Sequence, residues 1–598
     1  MDILANLREA GSLNDKQLAQ IIRKHNRNLT ENSRHYAKKR LLPYYLKVKE
    51  DSPELWGSWN ISTELERQLM STLRIKPRRT ASGVATITVI TKPWKCSNEC
   101  VYCPNDVRMP KSYLSDEPAC QRAERNFFDP YLQVASRLQA LTHMGHATDK
   151  IELIILGGTW SDYALEYQIW YIKELFRALN STVCAREAEC QRICALYFEK
   201  GISSSEEDLQ TFAHKQQKEV DEGLLSYNAA VKKLYGDNAG WKEIAVWQIS
   251  DFDELHEQHL ANENAKHRVV GLAVETRPDT ITLSNLTLLR QLGCTKIQMG
   301  IQSLNATVLR ANNRCTNLDA IHQAFELLRI FGFKIHAHFM LNLLGSSVTE
   351  DKEDYHTFVS EAHYLPDEVK LYPCSLVQGT ELSKHYFDES WQPYSEEDLL
   401  EVLIADALAT PRYMRISRMI RDISAADIMA GNKKANLRQM VEARIEKSDA
   451  AMREIRFREI STDEIDADSL TLSMCTYETT VSSEYFLEWN TPIDRIAGFL
   501  RLSLPREDYL NANLAEMPVG LLEAMIREVH VYGTAAKLHT SEEGVQHLGL
   551  GRQLIETAGT IAREHGYTKL NVISSVGTRE YYRSLGFVDN GLYQQKSL

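Results

Sequence analysis

Cys96-Ser-Asn-Glu-Cys100-Val-Tyr-Cys103-Pro104 places three thiols within eight residues, as C-x3-C-x2-C. Thiolates are soft ligands suited to zinc, copper(I) or iron–sulfur clusters. A structural zinc or an ordinary cubane takes a fourth protein ligand. None follows closely, the next Cys being Cys120. Three thiolates on a four-iron cluster leave one iron open. An open iron can bind a small molecule and pass it an electron. The alternative is a zinc knuckle or three unrelated core cysteines, although zinc sites take their cysteines in two pairs.

A second chemical stretch lies near the end of the chain. Gln546-His-Leu-Gly549-Leu-Gly551-Arg552 follows strand text at 527–533 and opens a helix running to about Glu564. Glycines let backbone N–H groups approach a pyrophosphate, and a helix N-terminus favours its charge. Next come a strand at 569–574 and Tyr581-Tyr582-Arg583 with Gly586-Phe587. A bare glycine pair is a turn and two tyrosines are core. Taken together, these features resemble the acetyl-coenzyme A fold of the GCN5-related N-acetyltransferases.

Both stretches need elements to hold them. Strand text recurs at 84–91, 151–156, 271–276, 296–303, 334–341 and 368–373, with helical text between, such as 316–331 ahead of Gly332. Strand–helix alternation predicts a parallel sheet. Six units predict an α/β fold, a partial (β/α)6 barrel with its chemistry at the carboxyl ends of the strands. The cysteines, Gly157-Gly158, Glu275-Thr-Arg277-Pro278 and Gln302-Ser303 all fall at such ends. The expected division is 1–80, a helical basic region; 81–385, the barrel with an insert at about 161–267; 386–468, a helical linker; and 469–598, the acetyltransferase domain. In the insert, Cys190 and Cys194 share a helix face, as a second metal site or as buried cysteines.

At 598 residues, with 43% apolar and 25% charged residues, several globular domains are expected. Neither a secretory leader nor an apolar run of membrane-spanning length is evident. The 11 Cys are then expected reduced, and the protein cytoplasmic. The net charge of −12 is uneven. Residues 21–50 hold nine Lys/Arg against two Glu, including Arg34, Lys38, Lys39 and Arg40. Arg78 and Arg79 fall in a later acid-free stretch. Tyr36, Tyr44 and Tyr45 interleave with the charges, which suits single-stranded RNA or a solvated helical face. Arg412, Arg415, Arg418 and Arg421 recur every third residue. As a helix they would form one cationic face, for an RNA backbone or for the acidic insert.

The cysteine spacing resembles that of the radical S-adenosylmethionine (SAM) enzymes, and with the acetyltransferase-like text behind it the chain resembles the catalytic subunit of Elongator, subunit 3, and its single-chain prokaryotic relatives. The matching text runs from about residue 75 to the end, apart from the insert. It includes Tyr102-Cys103-Pro104, Gly157-Gly158-Thr159, Glu275-Thr-Arg277-Pro278-Asp279, Gly300-Ile-Gln302-Ser303 and Lys370-Leu-Tyr372-Pro373. His530-Val-Tyr-Gly533 and Val576-Gly577-Thr578-Arg579-x-Tyr581-Tyr582-Arg583 extend it. Many relatives space the three cysteines more widely. Many also carry Cys-Arg-Cys-Ile-Arg where this chain has Met452-Arg-Glu454-Ile-Arg456, so no zinc is expected there.

The resemblance implies formation of 5-carboxymethyluridine at wobble uridine 34 of tRNA. It implies a [4Fe-4S] cluster on Cys96, Cys100 and Cys103, with SAM at Gly157, Gly158, Gln302 and Lys370. Acetyl-CoA would lie on Gln546, Gly549, Gly551 and Arg552, and Tyr581 or Tyr582 would act on the thioester. The implied partners are a tRNA anticodon stem-loop on the basic residues and an electron donor. A homodimer is allowed for, and no membrane is involved. Rival readings are a protein-lysine acetyltransferase with a structural cluster and a non-catalytic tRNA-binding scaffold. A radical generated at the cysteines must touch the acetyl methyl. The acetyltransferase domain is therefore expected against the carboxyl ends of the barrel strands.

Overall fold

The structure is a computed structural model that describes residues 1–27, 35–76, 80, 82–314, 316–460, 467–513, 517–532 and 549–598. Arg34, Arg78, Arg79 and Gln546 lie outside the described residues.

The amino-terminal part is helical. Helices Asp2–Ala10, Asp15–Asn26, Lys38–Asp51 and Thr63–Leu73 bury one face each around Leu4, Leu7, Leu18, Leu42 and Leu69. Asn14 starts the second helix as a capping box, accepting from Gln17 N while the Gln17 side chain returns the bond. Tyr45, expected beside the charges, packs into this core and donates to Glu66 at 2.8 Å.

The barrel strands follow the alternation in the sequence: β1 (Ala85–Ile90), β2 (Lys150–Leu156), β3 (Arg268–Thr276), β4 (Lys296–Gln302), β5 (Lys334–Leu341) and β6 (Glu368–Pro373). The short β7 (Leu376–Val377) pairs with β9 (Ile428–Ala430). Between them β8 (Arg415–Arg418) adds a seventh strand beside β6, giving the order β1-β2-β3-β4-β5-β6-β8, all parallel.

That seventh strand corrects two expectations. The Arg412–Arg421 row is no helix: β8 pairs in register with β6, Glu368 opposite Arg415. Its arginines are also engaged. Arg412 bonds Glu488 at 2.7 Å, Arg415 bonds Glu459 at 2.5 Å, Arg418 bonds Asp422 at 2.6 Å, and Arg421 lies 3.4 Å from Glu117. The row therefore offers no continuous free cationic face. Within the stretch expected as an insert, helix Leu165–Asn180 crosses over from β2 and packs against helices Pro130–His143 and Phe252–Glu263.

The carboxy-terminal sheet is built from β10 (Thr471–Glu478), β11 (Ser482–Asn490), β12 (Ile496–Pro505), β13 (Glu523–Val531), β14 (Lys569–Val572), β15 (Val588–Asn590) and β16 (Tyr593–Ser597). Its order is β10-β11-β12-β13-β14-β16-β15. β13 and β14 run parallel and the other pairs are antiparallel. Every residue of β12 is buried, so both of its faces are covered. Thr479–Val481 form the turn between β10 and β11, with Thr479 N donating to Ser482 O at 2.9 Å.

This sheet seats on the amino ends of the barrel strands, which overturns the expected placement at the carboxyl ends. Arg527 of β13 reaches Asp367, just before β6, at 2.7 and 2.8 Å, and Phe333 O, just before β5, at 3.1 Å. Arg501 and Arg329 join from Asp367 and Glu484. Lys334 at the start of β5 pairs with Glu528 at 2.6 Å. Charges this deeply buried hold only when mutually compensated.

Candidate active site

The chain leaves the carboxyl end of β1 at Thr91 and enters the cysteine loop. At the end of β2 lie Gly157 and Gly158, with φ of 140° and 80°. A Cβ on Gly157 would sit 1.9 Å from Thr91 Oγ1, so only glycine lets the two strand ends close up here. Around Gly158 the space is open, leaving a bare backbone cradle.

Arg277, at the end of β3, ties this turn to the cysteine loop. Its guanidinium donates to Ser97 Oγ and to Thr159 Oγ1, the latter at 3.2 Å, while Asp279 holds its other edge at 2.8 and 2.9 Å. Cys103 N donates to Cys100 O at 3.0 Å, so these two thiols share one turn. Buried Arg314 donates to Gly300 O and brings Nη1 to 3.8 Å from Cys100 Sγ. The Cys103 hydrogen bond and the Arg314 charge hold the Cys100 thiol down, to about 5. Giving that bond, together with burial, pushes Cys103 up, and burial raises Cys96. A thiolate is therefore favoured at Cys100. Gln302 ends β4 with φ 75°, and its side chain folds back over Gly300.

Below this mouth the lumen is lined by polar side chains. Lys370 of β6 donates to Gln298 Oε1 at 2.6 Å and lies 3.0 Å from His338 Nε2. His338 Nδ1 lies 3.4 Å from Glu275, which accepts from Tyr113 at 2.5 Å. Burial pulls Lys370 down to about 8, so its proton is exchangeable near neutrality. A second layer, Lys296, Glu368, His336 and Lys334, continues the polar lining toward Glu528.

In the carboxy-terminal domain Gly549 precedes helix Leu550–Glu564, and Arg552 lies in its first turn. A Cβ on Gly551 would meet Tyr581 Oη at 3.0 Å, so Gly551 lets that hydroxyl approach the helix start. Tyr581 is 43% exposed; Tyr582 is 7% exposed and packs on Phe587. The structure thus separates the two tyrosines, one at the cradle and one in the core.

On the amino-terminal helices, Lys39 and Arg40 are exposed near Tyr36 and Tyr44, while Lys38 pairs with Asp15 at 2.7 Å. At the site of the absent Cys-Arg-Cys text, Glu454 accepts from Ile416 N and Phe457 N, each at 2.9 Å, and pairs with Arg438. A buried carboxylate organises that segment.

Arg314, His338 and Gln298 were not singled out from sequence. Their roles come from partners on other strands, and only the inward alternation of β4 and β5 hints at the last two. Among the described residues no three His, Cys, Asp or Glu side chains converge on a single-ion site. A four-iron cluster gives each thiolate its own iron. Three thiols, one already favoured as thiolate by the Cys103 hydrogen bond and the Arg314 charge, beside a glycine cradle fit such a group. A cysteine loop at the mouth of a parallel partial barrel, joined to a mixed sheet with a glycine-opened helix, defines a radical SAM enzyme fused to an acetyltransferase domain.

The family model for the Radical_SAM C-terminal domain matches residues 366–447. The tRNA uridine(34) acetyltransferase of Methanocaldococcus infernus is 32% identical over 554 residues, covering 90% of each chain. The protein of that name from Dehalococcoides mccartyi is 33% identical over 526 residues, covering 86% of this chain and 97% of its own. Human Elongator complex protein 3 is 30% identical over 556 residues, covering 90% of this chain and 88% of its own. The solved structure of archaeal Methanocaldococcus infernus Elp3, with an N-terminal deletion, superposes with a TM-score of 0.64 at 30% identity, over 87% of this chain and 100% of that one. This chain belongs to the family of the tRNA uridine(34) acetyltransferases and Elongator complex protein 3.

Proposed function

We propose that this chain modifies wobble uridine 34 of tRNA, building 5-carboxymethyluridine with acetyl-CoA as carbon donor. The observation that carries the reading is one chain holding both the Cys96–Cys103 loop beside Gly157-Gly158 and a glycine-opened helix beside Tyr581. Cys96, Cys100 and Cys103 would hold the cluster. The bare backbone at Gly157-Gly158 would receive the amino-acid end of SAM, with Gln302 at the mouth and Lys370 in the lumen below it. When bound, this pair supplies a radical able to take hydrogen from an unactivated methyl group. Lys370, poised near neutrality, can hold or release a proton at the reacting face. Gly549, Gly551 and Arg552 would cradle the CoA phosphates at the helix N-terminus. Mass spectrometry of tRNA incubated with SAM, acetyl-CoA and reductant tests the whole reading. Carboxymethylated uridine at position 34 supports it, and unmodified tRNA with acetylated protein instead rejects it.

Tyr581 is the tyrosine we assign to the thioester, because its hydroxyl faces the helix start. Tyr581→Phe is expected to lower kcat for acetyl-CoA hydrolysis by about 10²-fold, the usual scale for a lost proton donor, with KM nearly unchanged. Tyr582→Phe should stay within about twofold by the same reasoning. Steady-state hydrolysis assays decide, and the reverse ranking would move the role to Tyr582.

For RNA, the exposed Lys39 and Arg40 beside Tyr36 and Tyr44 are the best-supplied phosphate contacts described. Reversing both to glutamate should weaken tRNA binding and lower its salt slope by roughly two. Filter binding across a salt series measures this, and an unchanged slope would show that the helix faces solvent only.

A further inference from the structure

Between helix Leu165–Asn180 and β3 the chain adds helices Val183–Glu199, Glu206–Asp221, Tyr227–Val231, Ala239–Ala245 and Phe252–Glu263. This insert touches the cysteine loop at one end and the helix that carries Tyr581 at the other. At one end Asn228 clasps Cys96: its Nδ2 donates to Cys96 O and its Oδ1 accepts from Cys96 N, both at 2.9 Å. One side chain thus satisfies both backbone groups of a cluster ligand, as a neighbouring strand would. Tyr227 beside it donates to Met109 O at 2.7 Å, and Gln217 accepts from Val107 N at 2.9 Å, so the whole loop leans on the insert.

At the other end Glu263 closes the last insert helix. Its side chain is 6% exposed and pairs with Arg583 at 2.6 Å and with Arg579 at 3.2 Å. Arg579 and Arg583 stand four apart on helix Arg579–Ser584, so they share a face. They bracket Tyr581 and Tyr582. Between the two ends the insert is fastened along the crossover helix. Asn180 donates to Gln258 O at 2.9 Å, Asn262 donates to Asn180 Oδ1 at 2.8 Å, and Phe176 packs edge-on against His259.

We propose that the insert is a brace spanning the barrel, with Asn228 a positioning residue for Cys96 and Glu263 a positioning residue for the helix that carries Tyr581. This rests on the assignment of the two centres made above. Neither residue touches substrate, so each acts through the group it holds. Asn228 fixes the carbonyl and amide that aim the Cys96 thiolate. Glu263 fixes the arginines that set how far the Tyr581 hydroxyl stands from the helix start.

The test is a crossed pair of variants in the full chain. Asn228→Ala should lower iron per chain to half or less and alter the electron paramagnetic resonance lineshape of the dithionite-reduced protein. Its acetyl-CoA hydrolysis should stay within twofold of the parent. Glu263→Gln should keep iron and lineshape intact while kcat for hydrolysis falls about tenfold at unchanged KM, with Glu263→Asp recovering part of the loss. If Glu263→Gln does not fold, Arg583→Lys, which keeps the charge and loses the fork, serves in its place with the same expectation. Only the crossed pattern supports the brace. Variants that move both readouts together, or leave their own unmoved, overturn it. Full iron in Cys96→Ala, or full hydrolysis in Tyr581→Phe, would instead overturn the assignment of the centres.

Discussion

Cys100→Ala, purified without air, should lose its brown colour and its complement of about four irons. Production of 5′-deoxyadenosine from SAM should fall to background, and uridine modification with it. The reason is local. Cys100 is the thiol most readily ionised, because Cys103 donates to it and Arg314 lies 3.8 Å from its sulfur. Removing it takes a ligand from the cluster and also strips a buried guanidinium of a counter-charge. Arg314 then keeps only the Gly300 carbonyl among the partners described above. A buried cation left short of its partner is strongly destabilising, so the variant should also melt earlier. Tyr581→Phe shares neither consequence and serves as the control. Iron analysis and chromatography of 5′-deoxyadenosine give the result. Stoichiometric zinc in the colourless parent protein would sink the radical reading.

Arg527→Met should cost about 3–5 kcal/mol of stability, the scale for breaking a buried ion pair from one side. Arg527 is fully buried and spans the seam between the domains, holding Asp367 twice and Glu484 at 2.9 Å. Methionine would fill most of the volume and leave two carboxylates facing Arg501 and Arg329 alone. Urea unfolding at neutral pH measures the loss, and a loss under about 1 kcal/mol would indicate a wet, screened seam. Acid exposes the same network. Burial alone would raise Asp367, yet Arg527 and Arg501 outweigh it and hold the carboxyl well below the ordinary aspartate range. A group depressed in the folded state stabilises above its unfolded value, near 4. That stabilisation fades as pH falls from there toward the folded value, because the unfolded chain then binds the proton more readily. The parent should therefore show a steep acid limb below about pH 4, and Arg527→Met a shallower one.

The barrel was legible because its strands are short apolar runs separated by helical text, and period alone marks them. The cysteine loop and the Gly157-Gly158 turn were legible because their chemistry is local in sequence. What escaped depends on partners far along the chain. Arg412–Arg421 reads as a helix by spacing, but β6 leaves a free edge, and Ile416 is buried when β8 fills it. Tertiary demand outweighed an i, i+3 pattern. The seat of the carboxy-terminal sheet escaped for the same reason: Arg527 and Asp367 are 160 residues apart, and nothing local marks them as mates. Tyr45 shows the reverse error, an aromatic among charges that belongs to a core. Asn228 lies 132 residues from Cys96, so the clasp on a cluster ligand has no local signature at all.

The seam also bears on how such an enzyme can be inherited. A barrel transplanted onto another acetyltransferase would carry Asp367 into an interface with no arginine to meet it. The carboxy-terminal sheet expressed alone would present Arg527 and Arg501 without Asp367, the anion they share across the seam. Each half is thus unfit for a new companion. Recombination between lineages should succeed only where it brings both sides of the seam from one parent, so that Asp367, Glu484, Arg501 and Arg527 travel together. The two modules behave as a single heritable unit, and chimaeras cut between 373 and 471 should be insoluble unless those four positions are matched.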